Sequence, residues 1–155
     1  MKTPLPASTA AHAAATSRPE APPQDVREFL ASTLRLEGCD CSFDDDRDIM
    51  FRHDGFTYCL CLWDDDPEFV QLVLPNFHTV SDMRELPSCL MVADRINRSF
   101  KGAKLVTASS EKGVGMHAAA EFMVADARQV APVLLRAAGC LASAVRDFRT
   151  VLRVL

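Results

Sequence analysis

Apolar residues recur along this chain with two different periods. From Gln24 to Glu37 they fall three and four apart: Val26, Leu30 and Leu34 line one side with Phe29 and Leu36 beside them, which predicts a helix. Gly38 follows as a residue that tolerates the positive φ of a helix stop. The period then drops to two. "CDCSF" alternates, placing Cys39, Cys41 and Phe43 on one face of a short strand, and "DDDR" turns the chain. "DIMFRHDGFTYCLCLW" reads as a hairpin, because Asp54-Gly55 suits a two-residue turn whose central positions both need positive φ.

That turn sets a register. His53 opposes Phe56, Arg52 opposes Thr57, Phe51 opposes Tyr58, Met50 opposes Cys59, Ile49 opposes Leu60 and Asp48 opposes Cys61. Opposed residues share a face. One face therefore carries Ile49, Phe51, Tyr58, Leu60 and Leu62, and the other carries Asp48, Met50, Arg52, Thr57, Cys59, Cys61 and Trp63. After "DDDPE", the run "FVQLVL" forms the next strand and ends before Pro75. A five-residue loop puts Val70, Leu72 and Leu74 on the oily face and Phe69, Gln71 and Val73 on the cysteine face; a four-residue loop exchanges them. The first is preferred because it buries no Gln.

"SDMRELPSCLMVADRINRSFKG" returns to the helical period, with a start near Leu86, Pro87 in the first turn, and Leu86, Leu90, Ala93, Asn97 and Phe100 as the stripe. "AKLVTASSEKGVGMHAAAEFMV" predicts a second hairpin turning at Glu111 to Gly113. Asp126 and Gln129 have capping-box spacing ahead of a last helix along Val130, Leu134, Ala137, Leu141, Val145, Phe148 and Leu152, with Pro132 in its first turn. The pattern is that of an α+β protein: an antiparallel sheet of five to six strands packed with three helices, in the order α-β-β-β(β)-α-β-β-α.

Composition narrows the function classes. The chain has 155 residues, 48% hydrophobic and 25% charged, which suits one folded domain over residues 24–155. The formal net charge of −4 and the lack of any basic run longer than two residues exclude a phosphate-binding surface of the nucleic-acid kind. No apolar run approaches the ~18 residues of a membrane span. Residues 1–23, rich in Ala, Pro, Ser and Thr, make a poor signal peptide and read as a disordered tail. The expected compartment is the cytosol, and there the six cysteines are reduced thiols used as small hydrophobes.

The candidate chemistry is thin. Cys39/Cys41 and Cys59/Cys61 are two Cys-x-Cys pairs, but a four-cysteine zinc site needs their strands side by side, and the hairpin and the following strand occupy both flanks of the Cys59 strand. Asp44, Asp46 and Asp48 have the spacing of a calcium loop, yet Ile49 and Gly55 stand where Gly and Glu are required. His53, His78 and His117 are scattered, no signature surrounds any Cys, and the Glu85/Pro87 region shows no acid-base pairing. Gly113 to Gly115 lies in a hairpin rather than between strand and helix, so it is no phosphate cradle. The expectation is a protein without catalytic residues, bound metal or cofactor. What stands out is a mostly apolar strip, Met50, Cys59, Cys61, Trp63, Phe69 and Val73, rimmed by Asp48 and Arg52. Either other elements cover it or it is a subunit or peptide interface.

The stretch "IMFRHDGFTYCLCLWDDDPEFVQLVLPNF", followed by "VADRINRSFKGAKLV" and "AEFMVADARQVAPVLLRAAGCLASAVRDF", resembles the YbjN-like domain over roughly Asp25 to Phe148. That family is similar to the CesT-like fold of type III secretion chaperones. The resemblance implies an α-β-β-β-α-β-β-α arrangement, homodimers, binding of a peptide or protein, and no cofactor or catalytic set. The Ala/Pro tail and the cysteine load depart from it. The expected function is a bacterial-type cytosolic, non-enzymatic chaperone or regulator that acts as a dimer and binds a protein segment through the six strip residues. The alternatives are a dedicated chaperone for one secreted effector, or a thiol- or metal-responsive sensor built on the Cys-x-Cys pairs.

Overall fold

The computed structural model describes residues 26–66, 68–110, 113–124 and 127–155. The expected tail over residues 1–23 and the expected cap Asp126 lie outside them. In chain order the elements are α1 (Val26–Leu36), β1 (Asp40–Phe43), β2 (Ile49–His53), β3 (Phe56–Leu62), β4 (Phe69–Thr79), α2 (Leu86–Ser99), β5 (Lys104–Ser110), β6 (Gly113–Met123), a 3-10 turn (Ala127–Gln129) and α3 (Val130–Leu152). All six strands join one antiparallel sheet in the order β1-β2-β3-β4-β6-β5.

Local chemistry accounts for the ends of these elements. Gly38 has φ 84°, and the amides of Gly38 and Cys39 donate to the carbonyls of Arg35 and Leu34 at 3.0 Å each, the paired bonds of a Schellman stop. Asp54 and Gly55 have φ 50° and 78°, as a type I′ hairpin turn requires, and the β2–β3 register is the predicted one from Ile49↔Leu60 to His53↔Phe56. The five-residue loop also holds: Leu62 pairs with Val70, Leu60 with Leu72 and Cys59 with Val73.

Three expectations are corrected. β4 does not end before Pro75 but continues to Thr79. The register slips between Leu74 and His78, with Asn76 at φ 47°, and this bulge absorbs the ladder donor that Pro75 lacks. Asn76 also lays its side-chain amide against Gly115, where an added Cβ would overlap it. In α2 the buried residues are Cys89, Val92, Ala93 and Ile96, whereas Leu90 is 48% exposed. The helix is rotated so that Asn97 reaches the backbone of the edge strand β5, donating to the Leu105 carbonyl at 3.1 Å and accepting from the Leu105 amide at 2.7 Å. The α3 helix proper begins at Val130 after the 3-10 turn, with no side-chain cap at Gln129.

One side of the sheet carries the core. Ile49, Phe51, Tyr58, Leu60, Val70, Leu72, Leu74, Ala118 and Ala120 are buried there with Leu30 and Leu34 of α1, Val92 and Ile96 of α2, and Leu134, Leu141 and Phe148 of α3. Phe51 stacks on Tyr58 at 5.3 Å between ring centroids, and the Tyr58 hydroxyl donates to the Ala138 carbonyl at 3.1 Å. Burial pushes that phenol up to about 12. Past the bulge, Phe77 and His78 both lie against Phe148.

Candidate functional site

Because opposed residues in a sheet share a face, the strand pairings define the other side as rows running across it. One row reads Ser42, Met50, Cys59, Val73, Ala119, Lys104. The next is Cys61, Gln71, Glu121, with Asp48 at the Cys61 end. A third is Trp63, Phe69, Met123, where the Trp63 and Phe69 rings lie 5.0 Å apart. The structure thus brings all six predicted strip residues, Met50, Cys59, Cys61, Trp63, Phe69 and Val73, onto one face. The helices bury their apolar stripes against the opposite side, and no described helix covers this one. Trp63 is 39% exposed and Met123 64%.

The face is less uniformly apolar than the strip residues alone suggest. Gln71 donates to Glu121 at 3.0 Å and Lys104 pairs with Glu121 at 3.2 Å, a polar band between the sulfur row and the aromatic row. These bonds hold the Glu121 carboxyl below its usual range, the Lys104 contact first and Gln71 second. Met123 escapes notice in the sequence because its place beside Phe69 depends on how β4 pairs with β6.

Asp48 is not a rim residue. The loop before β2 is organised by Asp44, whose carboxylate accepts from the amides of Asp46 at 3.1 Å and Asp48 at 2.8 Å. This turns Asp48 inward. Its Oδ1 accepts from the Leu62 amide at 3.3 Å, and its Oδ2 lies 4.0 Å from Cys59 Sγ. Cys59 Sγ and Cys61 Sγ are 3.6 Å apart. The hydrogen bond from Cys61 draws the Cys59 thiol below its ordinary range, while the same contact, joined by burial, pushes Cys61 well up.

The other Cys-x-Cys pair is elsewhere. Cys41 opposes Phe51 on the core face, and Cys39 is buried among the core residues. The two pairs lie on opposite sides of the sheet, so these four cysteines do not come together as ligands.

A cysteine, a histidine and a carboxylate do converge at the start of α2, where the chain turns back between the extended end of β4 and the helix and so brings together residues that show no common period in the sequence. His78 Nε2 and Glu85 Oε1 are 2.8 Å apart, and Cys89 Sγ lies near both. Glu85 also accepts from the Ser81 amide at 2.6 Å and the Ser81 hydroxyl at 2.7 Å, and these bonds hold its carboxyl down. Cys89 has no exposed surface, and burial followed by the Glu85 charge pushes its thiol up. A thiol so placed is inert. The trio fastens the end of β4 to the start of α2.

Among solved structures the chain is similar to YbjN from E. coli, a candidate transcription regulator, with a TM-score of 0.63, 13% identity, and coverage of 79% of this chain and 90% of that one. The chain has a YbjN-like fold. No family profile matches it, and no curated protein matches it. Among the described residues no helix is long and apolar enough to cross a membrane.

Proposed function

We propose that this YbjN-like chain is a non-enzymatic, cytosolic protein-binding regulator or chaperone that works as a homodimer and captures an extended or helical segment of a client protein. The observation that supports this reading is the aromatic row at the end of the open sheet face: Trp63 and Phe69 in ring contact, flanked by exposed Met123. Exposed aromatic and Met side chains on a rigid strand lattice supply contact area at low entropic cost, and Met adapts to different partners. Alternating side chains of an extended segment can sit between the rows, with the Gln71–Glu121–Lys104 band offering hydrogen bonds to its backbone or polar groups. Any regulatory role of the kind ascribed to the E. coli protein runs here through protein contacts, since the net charge of −4 disfavours phosphate.

The test is the double substitution Trp63→Ser with Phe69→Ser. Client recovery from native lysate should fall to background, while light scattering still reports a dimer and the urea midpoint barely moves. Unfolding of the variant would place this face in a core, and dissociation to monomer would make it the dimer surface; either result sinks the client-binding assignment.

A further inference from the structure

We propose that Asp48, Cys59 and Cys61 form a zinc(II) site on the open face of the sheet. The ligand atoms already stand in a zinc-like triangle: Sγ to Sγ is 3.6 Å, Cys59 Sγ to Asp48 Oδ2 is 4.0 Å, and all three ligand atoms lie within 4.8 Å of one another. Two thiolates bound tetrahedrally at about 2.3 Å lie about 3.8 Å apart, and a thiolate and a carboxylate oxygen about 3.5 Å apart, so the two Cys59 edges need adjustments of a few tenths of an ångström and the Cys61–Asp48 edge at most slightly more than an ångström.

The backbone explains why the triangle is rigid. Residues i and i+2 of β3 point the same way, which aims both sulfurs together, and Asp48 arrives from beyond the end of β2 opposite Cys61. Its carboxylate accepts from the Leu62 amide on Oδ1, and its backbone amide is fixed by Asp44. Such outer contacts orient metal ligands. All three residues are half-buried rather than sealed, so a cation has access and water can fill the fourth position.

Two other uses of the pair bear on the proposal. A disulfide needs Cα atoms about 4.4–6.8 Å apart, and i, i+2 positions on an extended strand sit at about 6.5–7 Å, the limit of that range. A metal-free hydrogen-bonded network also accommodates the trio, with the thiols 3.6 Å apart and Cys59 donating to Asp48 Oδ2 at 4.0 Å, and it predicts no thiolate-to-cobalt absorption. The mixed sulfur and oxygen set favours zinc over copper(I), which prefers sulfur alone. The proposal stands apart from client capture, because it is read on the isolated chain.

The experiment is titration of the reduced, untagged, chelator-treated full chain with cobalt(II), followed by displacement with zinc(II). One cobalt per chain should produce thiolate-to-cobalt absorption and tetrahedral visible bands, both removed by one zinc. Cys59→Ser with Cys61→Ser should abolish the spectrum. Asp48→Asn, which keeps an acceptor for the Leu62 amide, should weaken zinc by at least the roughly tenfold that loss of an outer partner alone causes. Cys39→Ser with Cys41→Ser should change neither. Absence of thiolate absorption in the unaltered chain, its survival without Cys59 and Cys61, or unchanged affinity in the Asp48 variant each overturns the site. Single Cys59→Ala and Cys61→Ala chains, checked for folding by circular dichroism, carry the same expectation should the double variant misfold.

Discussion

The two Cys-x-Cys pairs are alike on paper and opposite in the molecule. Cys39 and Cys41 point toward the helices, where Cys39 is buried with α1 and Cys41 packs beside it. Cys59 and Cys61 point away, share a sulfur contact and meet a carboxylate. The difference does not arise in the spacing of the cysteines. It arises in strand register: Cys41 opposes Phe51, whereas Cys59 opposes Met50, its chain neighbour. One position along β2 separates a packing thiol from a candidate ligand.

The sharpest way to break this comparison is to truncate those two neighbours. Phe51→Ala should remove about 3–5 kcal/mol of stability, as core aromatics do, while Met50→Ala should remove about 1 kcal/mol or less, both read from urea denaturation. Equal losses would mean that the second face is covered as fully as the first.

Alkali probes the core face through Tyr58. The folded Tyr58 phenol is held up at about 12 from its ordinary 10, so between those values the folded chain keeps a proton that the unfolded chain has lost. The stability contribution is full below pH 10 and drains away as pH climbs toward 12, a loss of roughly 2–3 kcal/mol. In Tyr58→Phe that part of the alkaline slope should vanish from the pH dependence of the unfolding free energy.

A smaller contrast separates the thiols themselves. Cys39→Ser should destabilise by about 1–3 kcal/mol through an unpaired buried hydroxyl, and Cys59→Ser by about 0.5 kcal/mol or less. Alkylation followed by mass spectrometry should label Cys59 in the native chain, with Cys39 and Cys89 reacting only once it unfolds. A modest effect on stability is expected at the aromatic row. Trp63→Ser with Phe69→Ser should cost about 0.5–1.5 kcal/mol, the contribution of a ring pair with one exposed and one half-buried member, and its consequence belongs to binding.

Much of the fold was legible because its signals are local. Asp54-Gly55 admits one hairpin geometry, and that geometry assigns every residue of β2 and β3 to a face. Gly38 stops α1 by its backbone freedom. The misreadings sit where distant contacts override local pattern. Leu90 completes a good apolar stripe by spacing, yet Cys89 and Ile96 are inside because Asn97 is needed at the β5 backbone. Pro75 looks like a strand end, yet pairing with β6 carries β4 through it by a bulge. The opposition of Asp48 and Cys61 could be read from the turn, but not the inward aim of the carboxylate, which depends on Asp44.

Sequence alone specified two faces of a sheet and named the residues on each, since side-chain alternation and a two-residue turn are properties of neighbouring residues. It left open whether other elements cover the cysteine face and how β4 would meet β6. Those depend on packing between segments far apart in the chain, where the burial of many apolar side chains outweighs any single local preference.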